Sequence, residues 1–269
     1  MKLTDCSLLS SLLVIGIGGK LRFNSIEPAH GRPLQQNTGG ISKKGNIEMV
    51  LVPAGWFEMG DSDMPDNRRH RVFLDSYSIG RTPVTVAQFK AYCAATGLDF
   101  SKFPKPDGGW VDDHPMVDVT WQEARDFCKW AGGDLPTDAQ WEKAARGATG
   151  WKYPWGNEWD ESRLKWVQEN DGVRQATTEP VDAHPSGASP YGCLDMEGNV
   201  WQWCLDWSAD IKPIQGVRNP TGPASGTTRV IRGGFYLRNS PESFRTSLRY
   251  GDEPSKVNGI QGLRLVCPP

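Results

Sequence analysis

The stretch at residues 229–266 places the tightest constraint on how this chain can fold. Short runs of strand-forming residues open and close it, at 230–231 before a Gly-Gly pair and at 263–266. Between them the sequence has no sustained helical or strand period, and it mixes aromatic residues and Arg with Asn, Ser, Gly and Asp. A rigid frame that holds a long, irregular, aromatic-rich segment is the usual construction of a binding surface.

The aromatic residues of this stretch allow a second interpretation. Phe235, Tyr236 and Phe244 could instead be core residues of a small sheet, because aromatic side chains bury large areas wherever they can. Arg238 and Tyr250 are flanked by polar residues, so we expect these two side chains to be exposed.

The composition predicts a loop-rich globule. The 269 residues include 12 Trp, 30 Gly and 20 Pro. Trp supplies large buried area, whereas Gly and Pro interrupt regular elements. The formal net charge of −2 provides no overall field for nucleic acid or an anionic membrane, and we expect neither as a partner.

Three runs with a helical period each follow a Thr that can cap a helix: Thr85, Thr120 and Thr137. Glu123 and Gln140 stand three residues after the second and third of these, which is the spacing of a capping box. We therefore expect helices over residues 86–96 and 121–131 and a third from residue 138. The buried side of the third helix is predicted to carry Trp141, Ala144 and Ala145.

The strand signals are short. Residues 49–52 and 56–60 predict two strands joined by a turn, and residues 71–79 alternate as a single strand. A strand-rich block follows at residues 198–203. Alternation predicts that the series Trp201, Trp203 and Trp207 belongs in part to the core.

The N-terminal residues read as a separate arm or leader. The apolar run at residues 8–19 is too short to span a bilayer, and it is a poor signal peptide because Asp5 precedes it and no clean small-residue cleavage site follows. Residues 20–46 are polar and without period. We expect an arm or leader over residues 1–46 and a folded domain over 47–269. The sequence is compatible with either a cytoplasmic or an exported protein.

The cysteines and histidines do not form a recognisable catalytic or metal motif. No CxxC pair occurs, and the four His are isolated from one another and from the Cys. We expect the cysteines to be buried thiols, with one disulfide as an alternative. We expect the histidines to lie at the surface or in turns. The six cysteines are Cys6, Cys93, Cys128, Cys193, Cys204 and Cys267.

Seven blocks, in order, resemble the formylglycine-generating-enzyme-type domain, also called the sulfatase-modifying-factor domain. They are MVLVPAG with FEMG (residues 49–60), TPVT (82–85), HPMVDVTW (114–121), LPTDAQWE (135–142), YPWGN (153–157), GNVWQW (198–203) and RVIRGG (229–234). The resemblance implies an α+β, C-type-lectin-like fold, loop-rich, with two main helices on small twisted antiparallel sheets.

The enzymes of this family use two copper-binding cysteines, placed four and nine residues after the second glycine of the Gly-Gly pair. In this sequence those positions hold Arg238 and Ser243. A guanidinium cannot bind Cu(I) as a thiolate does, and a hydroxyl is a poor ligand for a soft metal. We therefore expect no copper and none of the family's cysteine chemistry.

A branch without those cysteines resembles this chain better: the variable proteins of diversity-generating retroelements, in which adenine-containing codons such as AAC are randomised. The frame RVIRGG at residues 229–234 and NGIQGLRLV at 258–266 is similar to theirs. The resemblance implies a non-enzymatic protein that binds a ligand, most simply another protein, through a diversified surface. The implied ligand-binding residues, all obtainable from such codons, are Phe235, Tyr236, Leu237, Arg238, Asn239, Ser243, Leu248, Tyr250, Gly251, Val257, Asn258 and Gly259.

Two alternatives remain. One is an oxidoreductase or accessory protein of the same family that acts without the copper cysteines, and the other is a structural domain of a larger assembly. The residues alone do not decide between these functions.

The resemblance also implies a calcium site and a disulfide. The calcium ligands would be Asp195, the carbonyls of Gly198 and Val200, and Gln202, where Gln in place of a family Glu removes one negative charge. A hydrogen-bonded turn is the alternative. Cys128 and Cys267 lie near the positions of a helix-to-strand disulfide in the family.

Overall fold

A computed structural model describes residues 38–41, 45–64, 67–106, 108–167, 177–209 and 216–269. The apolar run at residues 8–19 and most of the predicted arm lie outside the described residues. The last part of the predicted arm contains a strand, because Thr38–Ile41 pairs with Glu48–Val52.

The described strands form three small sheets. The first has the order β1-β2-β5-β11 and consists of β1 (Thr38–Ile41), β2 (Glu48–Val52), β5 (Tyr77–Gly80) and β11 (Val266–Cys267). The second has the order β10-β6-β8-β9 and consists of β10 (Gln261–Gly262), β6 (Trp201–Trp207), β8 (Arg229–Arg232) and β9 (Tyr250–Asp252). The third has the order β3-β4-β7 and consists of β3 (Gly55–Met59), β4 (His70–Leu74) and β7 (Val217–Arg218). Most pairs are antiparallel as expected, but β10–β6 and β4–β7 are parallel.

The helices begin where their caps predict. These are α1 (Val86–Thr96), α2 (Trp121–Ala131) and α3 (Asp138–Arg146), and each has a complete capping box made by the preceding Thr. Gly97 and Gly132 end α1 and α2 in the left-handed conformation, which glycine adopts without strain. The fold therefore has a third helix of nine residues beside the two main ones.

The single strand predicted over residues 71–79 is wrong. The chain forms β4 and then β5, and the break falls at Asp75 and Ser76. Strand β4 pairs with β3, whereas β5 pairs with β2 and β11 in a different sheet. Alternation reports which face a side chain takes, and it does not report the partner of the strand.

The sheet β10-β6-β8-β9 lies between two hydrophobic clusters. On β6, Trp203 packs in the cluster with α1 and α2, and the next residue, Cys204, packs in the cluster with α3. Ile231 and Val230 on β8 divide between the same two clusters. Trp201 and Trp203 are buried and Trp207 is half-buried, so the prediction that this series is partly core is confirmed.

Candidate ligand-binding surface

Residues 235–261, the display segment, follow the Gly-Gly pair after β8, include β9 and end at the first residue of β10. The segment leaves β8 through Gly233 and Gly234, whose φ angles of 95° and 67° are in the left-handed region. A Cβ at Gly233 would lie 2.8 Å from the carbonyl oxygen of Met196. The turn therefore needs glycine there, which explains the Gly-Gly pair in physical terms.

The frame holds the display segment mainly through main-chain atoms of the segment. Arg232 Nη1 donates to the carbonyls of Thr246 and Leu248, at 3.1 and 3.0 Å. Asn67 Nδ2 donates to the carbonyl of Ser247 at 2.7 Å. These hydrogen bonds do not depend on which side chains residues 246–248 carry.

The ends of the segment are held in the same manner. The main chain of Tyr236 donates to the Asn199 carbonyl at 3.2 Å and accepts from the Val167 amide at 2.7 Å. Near the other end, the carbonyl of Pro254 accepts from the amide of Trp121 at 2.9 Å. The backbone path is thus specified by groups outside the segment.

None of the twelve predicted ligand-binding residues is buried. Five are exposed, namely Leu237, Asn239, Tyr250, Gly251 and Val257. Seven are half-buried, namely Phe235, Tyr236, Arg238, Ser243, Leu248, Asn258 and Gly259. Buried side chains of the same segment include Phe244, Thr246, Ser247 and Arg249. The core interpretation therefore holds for Phe244, whereas Phe235 and Tyr236 face partly outward.

Arg238 is the centre of an aromatic cluster on this surface. Its guanidinium carbon lies 5.6 Å from the ring centroids of Trp201 and Phe235, and 5.1 Å from that of Tyr250. Trp201 and Tyr250 also meet edge to face at 5.3 Å. Cation–π attraction holds the guanidinium over the rings. Alternation placed Trp201 in the core without indicating that its ring also supports Arg238.

Phe244 is the main side-chain anchor of the segment. Its ring stacks on Trp159 with centroids 5.8 Å apart and meets Trp166 edge to face at 6.2 Å. It is fully buried. Ser243, which the resemblance implies is at the second family cysteine position, precedes this anchor and is half-buried.

The described cysteines are free thiols. Cys93, Cys128, Cys193 and Cys204 are buried, Cys267 is half-buried, and burial raises the pKa of each thiol. The implied Cys128–Cys267 disulfide is not formed, and Cys128 Sγ instead donates to the Arg264 carbonyl at 3.8 Å. A raised pKa disfavours the thiolate, so these side chains suit packing better than nucleophilic or metal chemistry.

A buried network of charged side chains links β8 and the display segment to α3. Arg232 donates to Asp138 and Glu142, Arg146 donates to Glu142 at 2.7 Å, and Arg249 donates to Asp138 at 3.0 Å. Burial raises the pKa of Asp138 and Glu142, but the neighbouring arginines outweigh it and hold both values below the ordinary range. The helical pattern of α3 predicted only the apolar residues on its buried side and missed these carboxylates.

Gln202, one of the four residues of the implied calcium site, fits the ion poorly. Gln202 Oε1 accepts hydrogen bonds from Trp141 Nε1 and Arg264 Nε, at 2.9 and 2.8 Å. Its Nε2 donates to the Asp195 carbonyl at 2.6 Å, and Arg264 Nη2 donates to the same carbonyl at 3.1 Å. A side-chain carbonyl with two donors has no lone pair left for a cation. The arrangement matches the alternative, a hydrogen-bonded turn.

No helix among the described residues is long and apolar enough to cross a membrane.

The fold and this surface together define a C-type-lectin-like α+β domain that supports an irregular C-terminal segment. Residues 36–268 match the family described as the sulfatase-modifying factor enzyme 1-like domain. The chain belongs to that family, and the resemblance found in its sequence motifs is confirmed.

Similar relatives differ in what they are named for. The serine/threonine-protein kinase pkn1 of Chlamydia caviae is 34% identical over 242 residues, covering 81% of this chain and 38% of the kinase. This chain therefore spans little more than a third of that relative. The formylglycine-generating enzyme of Streptomyces coelicolor is 30% identical over 283 residues, covering 81% of this chain and 88% of the enzyme.

Two solved structures share the fold over nearly their whole length. Treponema denticola variable protein 1 is 27% identical with a TM-score of 0.69, covering 83% of this chain and 95% of that protein. PvdO from Pseudomonas aeruginosa is 26% identical with a TM-score of 0.72, covering 87% of this chain and 99% of that protein. The family therefore includes both a variable protein and named enzymes.

Proposed function

We propose that this chain is a non-enzymatic ligand-binding protein whose display segment is the diversified product of a diversity-generating retroelement. The supporting observation is that the anchoring groups of the segment and its exposed side chains are different residues. Its backbone and its buried side chains are held by the frame, while the twelve residues of the diversifiable set are all exposed or half-exposed. Side chains can therefore be exchanged at most of these positions without removing the main anchors. Gly251 is an exception, because a Cβ there would lie 2.7 Å from Thr228 Oγ1.

The present side chains suit recognition of another protein. Phe, Tyr and Arg are frequent in the energetically dominant part of interfaces, and Ser, Asn and Gly adapt around them. Arg238 with its aromatic neighbours provides such a centre, and Leu237 and Val257 are exposed apolar side chains of the same segment. The similarity to Treponema denticola variable protein 1 also supports this function.

The decisive test is at the level of the gene. We expect a nearly identical copy of the codons for residues 229–266 close to the gene and beside a reverse transcriptase. The copy is expected to differ from the gene only where it has adenine. A copy that differs at other bases, or no copy at all, contradicts diversification.

The similarity to formylglycine-generating enzymes supports a second candidate, an oxidoreductase or accessory protein of the family without the copper cysteines. Its test is oxygen consumption by the purified protein with copper and a cysteine-containing peptide. We expect none, because Arg238 and Ser243 stand at the two cysteine positions. Measurable turnover that is lost on substitution of display-segment residues would favour the enzyme instead.

A further inference from the structure

A cleft of about 390 Å³ borders the display segment at Tyr236, Asn258 and Gly259. Its lining also includes residues outside the display segment, among them 104–106, 108, 109 and 111. The cleft therefore joins side chains of the display segment to side chains of the frame. Concave sites with a few convergent polar groups are where ligands bind preferentially.

Among the described residues that line this cleft, Asp118 is the one carboxylate. Asp118 is only 7% exposed. Its Oδ1 accepts a hydrogen bond from the Gly259 amide at 2.5 Å. Asp118 also has a φ of 56°, a conformation that is uncommon outside glycine. The carboxylate is thus held in a defined place next to the display segment.

The charge of Asp118 has no cationic partner among the described residues. No described Lys, Arg or His forms an ion pair with it. Burial raises the pKa of Asp118, and the Gly259 hydrogen bond opposes this only in part. The other described ionisable groups of the cleft, His114 and Lys105, contact residues other than Asp118. His114 Nδ1 is hydrogen-bonded to Thr178 Oγ1 at 2.9 Å, and the exposed Lys105 lies against Gly109.

The rest of the lining suits a long aliphatic stem. Pro104, Pro106, Val117 and Tyr236 are the lining residues with mainly apolar side chains. Lysine and arginine side chains combine such a stem with a cationic head, and they place the stem on apolar surface and the head on a polar or charged group.

We propose that this cleft receives a lysine or arginine side chain of the protein ligand, with Asp118 as its counter-ion. The inference rests on the proposed function, because three lining residues belong to the display segment. It goes beyond that function by placing one fixed, charged contact in the frame. Such a contact would orient every ligand in the same way while the display segment varies around it.

The Gly259 amide reports on the site directly, because it donates to Asp118. We would titrate the full-length, ¹⁵N-labelled protein with N-acetyl-arginine methylamide, with the lysine analogue and with the neutral isostere N-acetyl-citrulline methylamide. The two cations are expected to shift the Gly259 amide resonance saturably, and about tenfold more tightly than citrulline, which corresponds to the loss of one charged contact.

Asp118→Asn keeps an acceptor for Gly259 and a residue type that tolerates positive φ, so the cleft should remain intact. It is expected to weaken binding of both cations about tenfold, whereas Asp112→Asn, at an exposed carboxylate of the neighbouring loop, should leave binding unchanged. Equal binding of citrulline, unchanged binding by Asp118→Asn, or no saturable shift at Gly259 overturns the proposal.

These outcomes separate the inference from the proposed function. A template copy beside the gene without cation binding overturns only the charged contact. Cation binding without a template copy overturns diversification and leaves the site standing.

Discussion

At the scale of single residues, the buried charges decide how firmly the display segment is held. Arg232 links Asp138 and Glu142 of α3 to the carbonyls of Thr246 and Leu248. One side chain therefore both completes the buried network and positions the middle of the segment. Removing one partner of a buried pair leaves the others uncompensated in a medium of low dielectric constant.

Arg232→Met is therefore expected to lower the free energy of unfolding by about 3–5 kcal/mol, measured by urea denaturation. Arg69→Met, at an exposed arginine, should change it by less than about 0.5 kcal/mol. If Arg232→Met lowers the free energy of unfolding by less than about 1 kcal/mol, the buried carboxylates do not depend on Arg232 as their charged partner.

Asp206 should make the stability depend on pH. Burial and the charge of Asp138 raise the pKa of Asp206 to about 7, although the Asp138 amide donates to its carboxylate at 3.0 Å. Below about pH 4 the residue is neutral in both states. As the pH rises from about 4 to 7 the unfolded chain releases the proton while the folded protein keeps it, so the free energy of unfolding falls by roughly 1 kcal/mol per pH unit.

Asp206→Asn cannot titrate, and its stability relative to the unsubstituted protein is expected to rise across that same pH window. Urea denaturation at a series of pH values measures the difference. Asp75→Asn, at an exposed aspartate, is the control for loss of a carboxylate. A difference for Asp206→Asn that does not change between about pH 4 and 7 contradicts the raised pKa.

At the scale of elements, the display segment combines anchors with replaceable side chains. Leu237 and Tyr250 are 48% and 44% exposed, whereas Phe244 is fully buried in an aromatic stack. The energetic cost of a substitution in this segment should therefore follow burial, whatever the chemical type of the residue.

Simultaneous replacement of Leu237, Asn239, Tyr250 and Val257 by Ser is expected to change the free energy of unfolding by less than about 2 kcal/mol. Phe244→Ala alone should cost about 3–5 kcal/mol, because it opens a cavity beside Trp159 and Trp166. Denaturant unfolding compares the two variants. If the quadruple variant is the less stable one, the exposed residues are structural and the proposed display role fails.

The turn over residues 195–202 is expected to be stable without calcium. Gln202 Oε1 is occupied by Trp141 and Arg264, so the ion has no free side-chain oxygen at that position. Calcium in excess and a chelator should therefore give the same Tm. A ligand that binds only the folded state raises Tm, so a higher Tm in calcium would show that the turn rearranges to bind it.

At the scale of the whole molecule, the position of β1 bears on where the domain begins. The predicted start at residue 47 would exclude β1, although Thr38 and Ile41 are paired with β2. We propose that the folded domain includes this strand. Without it, β2 would become the edge of the first sheet.

A fragment covering residues 36–269 is expected to be more stable than one covering 47–269, by about 1–3 kcal/mol for the lost strand pairing. Thermal and urea unfolding of the two fragments measure this difference directly. Equal stability would place the start of the domain at residue 47, as the sequence alone suggested.

The sequence by itself determined the features that depend on near neighbours. The caps at Thr85, Thr120 and Thr137 are local hydrogen bonds within four residues, and they specify where the helices begin. The order of the family blocks was sufficient to predict the fold class. Exposure of Tyr250 followed correctly from its polar flanks, while Arg238 proved half-buried against its aromatic neighbours.

Only the tertiary structure decided the contacts between residues far apart in the chain. The oxygen of Gln202 is taken by Trp141 and Arg264, which are 61 and 62 residues away, and Asp118 meets Gly259 across 141 residues. Periodicity and capping carry no information about such pairs, because they describe only which face a residue takes and where an element begins. Long-range contacts depend on how the sheets and loops pack. Here that packing occupies the Gln202 oxygen with hydrogen bonds and places a carboxylate beside the display segment.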